Sequence, residues 1–254
     1  FYTNTLGPYL ETITKMTGFE MALPMNSGAE AVETAIKSAR RWAYRSKKIE
    51  PNKAEIIVAE GNFHGRTTTI ISFSSEPNSK DDFGPHTPGF ISVEFGSTKA
   101  VEDAITDNTA AVLFEPVQGE GGIIEPPQNW LSDVRNICDK NNVLMILDEV
   151  QSGLGRTGKL FAFEHANIRP DGLILGKALG GGFMPVSVFL SSKDVLQWMN
   201  PGSHGSTFGG NPLGSAIAKR SLELLYEEGL IENSRIMGEY FKNSLLQLNS
   251  KIIK

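Results

Sequence analysis

Two apolar runs, each ending on an ionisable residue, constrain this chain most. Val143 to Leu147 follows the polar cluster DKNN and ends on Asp148, and Gly172 to Leu175 ends in Gly176-Lys177. Short apolar runs bounded by turn-forming residues mark strands buried on both faces, as in a parallel sheet. Open α/β sheets bind ligands beyond the carboxyl ends of their strands. Asp148 and Lys177 are both expected at that edge.

A buried Asp at a strand end is costly unless it meets a cation or hydrogen-bond donors. A lysine in a site dry enough to lower its pKa is a nucleophile for a carbonyl. The pair suits an arrangement in which Lys177 forms a Schiff base with an aldehyde while Asp148 keeps a ring nitrogen protonated, which is how pyridoxal phosphate is held. On spacing alone, a structural Asp cap and a surface Lys is an equally open alternative.

Composition narrows the field. The chain has 254 residues, enough for a large core, and a net charge of -5 from 24 basic and 29 acidic residues. With no long basic run, attraction to nucleic acid or a membrane surface is not indicated. Cys138 is the only cysteine, so an internal disulfide or a Cys-rich metal site is excluded. His64, His86, His165 and His204 lack metal-ligand spacing, and no apolar stretch approaches the roughly 20 residues of a membrane span. Phe1-Tyr2-Thr3-Asn4 shows no initiator Met or signal-like region, and LLQLNSKIIK stops at the end of a helical pattern. The expectation is a piece of something longer, in the cytoplasm by default, with the mitochondrial matrix as the alternative.

Along the chain, Leu6, Leu10, Ile13 and Met16 predict an amphipathic helix over 5–18, stopped by Gly18. Val32, Ala35, Ile36, Ala39 and Trp42 form one face of a long helix. Ser27 and Glu30 make a capping box that starts it at Gly28. Gly28 and Ala29 leave first-turn amides uncovered, an anion site unless the cap bonds only its own side chains. Strands are expected at 54–60, 90–95, 110–115 (ending on Glu115), 143–148, 172–175 and 185–191. Between them lie a second apolar stretch at 68–73, a polar loop at 74–89, a short helix at 97–105 and a helix from Asn129 to Lys140. The glycine-rich HGSTFGGNP opens onto a helix from Leu213 to Glu228. A last helix, 230–248, sets Met237, Phe241, Leu245 and Leu248 in phase. Strands alternating with helices predict an α/β fold, a mostly parallel central sheet with helices on both faces. The G-x-G-x-x-G fingerprint is absent, which counts against a nicotinamide dinucleotide.

The motifs SGAE, NFHGRT, EPVQGEGG, LDEVQSGLGRTG, LGKALGGG and HGSTFGGNP occur in this order. Together they resemble the large domain of class III, fold-type I, pyridoxal-phosphate-dependent aminotransferases. The resemblance covers essentially the whole chain. It implies a large cofactor-binding domain over 1–228 and, at 229–254, a helix leading toward a small C-terminal domain. FYTNTLGPY, DFGPHTPGF and GGGFMPVSVFL favour the ornithine-using members. These transfer the δ-amino group of L-ornithine to 2-oxoglutarate; acetylornithine or 4-aminobutyrate as donor is the alternative. A chain competent only for subunit association is a third reading.

The resemblance also implies roles. Lys177 matches the Schiff-base lysine and proton carrier, and Asp148 the partner of the pyridine nitrogen. Gln151 matches the side chain near the cofactor's phenolic oxygen, and Val150 and Phe63 match the pair packing on the two ring faces. His64 follows Phe63 where ornithine enzymes often carry an aromatic such as Trp. Ser27, Gly28 and Ala29 match the phosphate grip. Thr207 matches a phosphate ligand given to the neighbouring subunit, which implies a homodimer. Arg66 matches the arginine that pairs with the substrate α-carboxylate, Glu120 a glutamate that pairs with a C-terminal arginine, and Glu115 a support behind the site.

Overall fold

The computed structural model describes residues 3–248. The first two residues of FYTNTLGPY and positions 249–254 of the expected C-terminal segment lie outside that range. In chain order the elements are α1 (Leu6–Thr17), β1 (Met21–Met25), α2 (Gly28–Trp42, continued by a π-turn at Ala43–Lys47) and β2 (Glu55–Ala59). Then come α3 (Thr68–Ile71), α4 (Pro77–Lys80), β3 (Phe90–Val93), α5 (Thr98–Ala104), β4 (Thr109–Phe114), α6 (Trp130–Asn141) and β5 (Leu144–Asp148). The chain closes with β6 (Gly172–Leu175), β7 (Ser187–Ser191), α7 (Lys193–Leu196), α8 (Pro212–Glu227) and α9 (Leu230–Gln247).

The strands form one seven-stranded sheet in the order β1-β7-β6-β5-β4-β2-β3. Neighbours from β3 through β6 pair in parallel, whereas β7 runs antiparallel to both β6 and β1. The expected mostly parallel sheet is therefore present. Alternation along the strands splits the core in two. Ile57, Val112, Phe114, Met145, Leu147, Leu173 and Leu175 join α1, α6 and α8 on one face. Ile56, Val58, Ala111, Leu113, Leu144, Ile146 and Ile174 join the buried stripe of α2 on the other. That stripe includes Val32, Ala35, Ile36, Ala39 and Trp42, all buried as their spacing predicts.

At four places the structure goes beyond or departs from the sequence pattern. β1 escapes the pattern because it is an edge strand carrying Pro24, and proline is tolerated only where no ladder donor is needed. The 68–73 stretch is a single helical turn, capped by the Thr67 side chain, followed by a bend. Strands expected over 90–95 and 185–191 shorten to Phe90–Val93 and Ser187–Ser191. The in-phase apolar residues of α9 are not buried: Met237 and Phe241 stand 50% and 65% exposed. Periodicity reports a face, and only packing decides whether anything covers it.

Glu149, directly after β5, holds the site's far wall together. Its carboxylate accepts the N–H groups of Ala162 at 2.7 Å and Phe163 at 2.8 Å, all in the interior. Removing an acceptor from two buried amides costs about 1–3 kcal/mol for each. Glu149→Ala is expected to lose about 3 kcal/mol or more of stability, read as a lowered urea midpoint. A loss under about 1 kcal/mol would mean that the 149–163 connection is not held this way.

Candidate active site

The sheet order reverses between β2 and β4. From β2 the chain moves outward to β3, and from β4 it moves the other way to β5 and β6. Adjacent strands whose connections diverge leave a crevice at their carboxyl ends. Into that crevice come the turn after β2 (Phe63, His64, Gly65), the segment after β4 (Glu115, Val117, Glu120), the end of β5 and the turn beyond it (Asp148, Val150, Gln151) and the second residue after β6 (Lys177). The N-terminus of α2, Gly28 and Ala29, closes one side. The cavity measures about 190 Å³. A wider cleft of about 1340 Å³ shares Val117, Val150, Gln151 and Lys177 with it.

Asp148 is 5% exposed and is held by two donors. His64 Nδ1 lies 2.7 Å from Oδ2, and the Val150 N–H donates to Oδ1 at 3.0 Å. Lys177 is half exposed, with Nζ 3.9 Å from Glu120 Oε1. Gln151 Nε2 donates to the same oxygen at 3.1 Å. The Lys177 backbone has φ of 42°, in the left-handed region that disfavours a residue with a side chain. Such strain persists only where the surroundings impose it, and it gathers at functional positions.

The start of α2 is built as an anion seat. The Ser27 hydroxyl accepts the Glu30 N–H at 3.2 Å, and the Glu30 carboxylate accepts the Ser27 N–H at 2.7 Å and the Asn26 N–H at 3.0 Å. The capping box occupies the Ser27 and Glu30 donors, while the Gly28 and Ala29 amides, at the first two helical positions, have no intrahelical acceptor. Those two N–H groups and the positive end of the helix dipole favour an anion. Gly65 supports the arrangement: its φ is 128°, and a Cβ there would stand 2.7 Å from Ala29 Cβ. The turn after β2 thus packs directly on the anion seat.

Glu115 is buried and accepts the Phe63 N–H at 3.0 Å. Burial pushes its carboxyl up to about 7, with Asp148 adding to the shift against the opposing pull of His64 and the Phe63 N–H. Burial likewise pushes Glu149 up to about 8, in spite of its two amide donors. Both folded-state values exceed the ordinary carboxyl value, so the native state binds more protons than the unfolded chain above about pH 4.5. Stability conferred below that pH is lost as pH rises through about 7 and 8. Denaturant titrations are expected to show higher stability near pH 5 than near pH 8.5, on the order of a few kcal/mol. A flat or rising profile across that window would contradict the assignment.

Ten of the residues singled out from sequence share this one cavity: Gly28, Ala29, Phe63, His64, Glu115, Glu120, Asp148, Val150, Gln151 and Lys177. Three stand apart. Ser27 is exposed and committed to the cap. Arg66 is exposed, with its guanidinium 5.7 Å from the Phe63 ring centroid, and has no carboxylate partner among the described residues. Thr207 is exposed on its loop, outside the cavity lining. Sequence reasoning passed over Gly65, Glu149 and Gly119. A Cβ on Gly119 would fall 1.2 Å from Gln151 Oε1, so the Gln151 amide lies across bare backbone. Position inside the NFHGRT, LDEVQ and VQGEGG motifs was the only signal for all three.

Comparison with known proteins gives a family and a set of relatives. The family model for aminotransferase class-III matches residues 1–254. The ornithine aminotransferase of Brevibacillus brevis is 53% identical over the whole chain, and ornithine aminotransferase 2 of Staphylococcus aureus strain Mu50 is 54% identical. The chain spans 64% of the length of each. Among solved structures, the ornithine aminotransferase of Toxoplasma gondii, described with partial occupancy of PLP at its active site, superposes with a TM-score of 0.96. It is 42% identical, over 97% of this chain and 58% of that one. The acetylornithine aminotransferase of Elizabethkingia anophelis superposes with a TM-score of 0.87 at 49% identity, over 98% of this chain and 61% of that one.

Proposed function

This chain belongs to the class-III aminotransferases, and from that premise we propose that its cavity holds pyridoxal 5'-phosphate and that the whole protein moves the δ-amino group of L-ornithine to 2-oxoglutarate. The products of that exchange are glutamate 5-semialdehyde and glutamate. One observation carries the reading: a strained lysine, a buried carboxylate and a helix N-terminus with two free amides line a single cavity. A phosphate-bearing, aldehyde-bearing, basic heterocycle needs those three groups together.

The residues present fit the cofactor. The Gly28 and Ala29 amides would take the phosphate, Asp148 the ring N–H, and Phe63 and Val150 the ring faces. Gln151 would lie toward the phenolic oxygen, and Lys177 Nζ would bond the aldehyde carbon. When bound, the cofactor supplies an aldehyde that exchanges amino groups and a ring that spreads the electrons of a carbanion.

The chain's own side chains do the rest. Asp148, held by His64 and the Val150 N–H, offers its carboxylate to a proton on a ring nitrogen. Lys177 Nζ, once freed by the incoming amine, carries the proton that leaves the donor's amino-bearing carbon. Glu120, 3.9 Å from Nζ, is placed to steer that ammonium group. Arg66, without a carboxylate partner among the described residues, suits the bidentate grip of a substrate carboxylate. Thr207, exposed on its loop, suits a contact in trans, completing the site of a second copy in a homodimer.

A second reading, acetylornithine as donor, draws on the higher identity to the Elizabethkingia enzyme than to the Toxoplasma one. Titrating the cofactor-loaded chain in turn with L-ornithine, N-acetylornithine and 4-aminobutyrate separates the two. L-ornithine is expected to bleach the cofactor band at the lowest concentration. A preference for N-acetylornithine by more than about tenfold, which is about 1.4 kcal/mol, would move the assignment to that donor.

A further inference from the structure

His204 opens the glycine-rich loop that carries Thr207, and its ring turns away from that loop to bind α2. Nδ1 lies 2.8 Å from Lys37 Nζ, and Nε2 lies 2.9 Å from Thr34 Oγ1. A lysine ammonium donates and cannot accept, so Nδ1 accepts and the ring proton sits on Nε2. Nε2–H then donates to Thr34 Oγ1, whose own proton goes to the Glu30 carbonyl at 2.7 Å. This chain of bonds closes only with a neutral ring, since a protonated one would turn an N–H toward the ammonium. Burial and the Lys37 charge both lower the His204 pKa, which keeps the ring in that form.

Further contacts hold the rest of the loop. Asn26 Nδ2 donates to Ser206 Oγ at 3.1 Å, and Ser206 Oγ accepts the Gly209 N–H at 2.9 Å. Gly209 lies on β1: a Cβ there would stand 2.5 Å from the Pro24 carbonyl oxygen. Asn211 ends the loop by capping α8, its Oδ1 accepting the Gly214 N–H at 2.8 Å. Between these anchors Thr207 and Phe208 stand exposed. Among the described residues, the hydrogen bonds of His204 alone tie the loop to the body of α2. That helix carries the anion seat in its first turn, so one element holds both the seat and the loop.

We propose that His204 is a positioning residue for Thr207. It fixes the loop on α2, so that the threonine one subunit lends to its neighbour's phosphate is held by the helix that seats its own. The inference rests on the reading of Thr207 given above as a contact in trans. A hydroxyl on a loose loop must be ordered at the moment of binding, at a cost in affinity, whereas an anchored loop has that order beforehand.

A double-mutant cycle of His204→Ala with Thr207→Val tests this in the whole protein, read as the dissociation constant for pyridoxal phosphate. Thr207→Val is expected to weaken binding about 10- to 100-fold, the range for losing a hydrogen bond to a charged group. His204→Ala is expected to weaken it about tenfold, the cost of ordering the freed loop, and the double variant no more than Thr207→Val alone. Damage unrelated to Thr207 would instead add to the Thr207 loss. Hybrid dimers, made by co-expressing two differently tagged subunits, supply a second readout. A Lys177→Ala subunit paired with a His204→Ala subunit is expected to bind with native affinity at the remaining Lys177, because that site borrows the native loop. With both substitutions on one subunit and a native partner, the remaining site is expected to weaken. Should His204→Ala fail to fold, Lys37→Met removes the Nδ1 partner from an exposed position and enters the same cycle. Native affinity in the His204 and Lys37 variants beside a weakened Thr207→Val, or additive losses, would overturn the proposal and leave the reading of Thr207 standing. Native affinity in Thr207→Val would overturn that reading, and this proposal with it.

Discussion

On the proposed function, Lys177→Ala is expected to abolish covalent capture of the cofactor and to lower turnover by at least about 10³-fold. The size follows from two losses together. Moving a proton by a placed side chain contributes about 10²–10⁴-fold, and the nucleophile that holds the aldehyde disappears with it. Among the described residues no other lysine lines the cavity, so none of them stands ready to replace it. Alanine at φ of 42° keeps the same strained backbone, and the removed side chain is half exposed. Stability should therefore change by less than about 1 kcal/mol. The loss is then chemical rather than structural. An absorbance titration with pyridoxal phosphate, beside a thermal melt, separates the two. A variant that keeps the wild-type band contradicts the assignment.

Asp148→Asn is the second large effect. Asparagine matches the carboxylate in shape but carries an NH₂ where the charge was. Turned one way, that NH₂ faces the Val150 N–H, and turned the other it faces His64 Nδ1–H. The first pairing sets donor against donor, the second is relieved only if the imidazole proton moves to Nε2, and in both the charge that now faces the two groups at 3.0 Å and 2.7 Å is gone. Removing one charge of a buried pair costs about 3–5 kcal/mol, which in a barrier is about 10²–10⁴-fold in rate. The loss should fall on kcat more than on KM, because a ring nitrogen's proton matters most when electron density builds up. Steady-state kinetics with L-ornithine check this. A variant altered only in KM would place Asp148 in substrate binding instead.

Much of this fold is legible in the sequence where local signals and burial agree. The capping box at Ser27 and Glu30 starts α2 at Gly28 as predicted, and Gly18 ends α1 in a left-handed cap. The apolar runs before Asp148 and Lys177 are fully buried strands whose carboxyl ends meet at one crevice. What stays hidden depends on long-range partners. The reversal of β7 and the edge position of β1 follow from pairing register, which no local pattern encodes. The His64–Asp148 bond joins residues 84 apart in the chain, so sequence offers each side chain but not their meeting. Arg66 shows the converse: the motif names it, yet its guanidinium lies over Phe63 at the surface.

The most direct test of the central claim is to incubate the chain with pyridoxal phosphate, reduce it with borohydride and map the peptides by mass spectrometry. Reduction turns an exchangeable lysine adduct into a stable secondary amine and so records which lysine reacted. One dominant pyridoxyl label is expected, on the peptide containing Lys177. A label spread over surface lysines with Lys177 unmodified, or none anywhere, would contradict it.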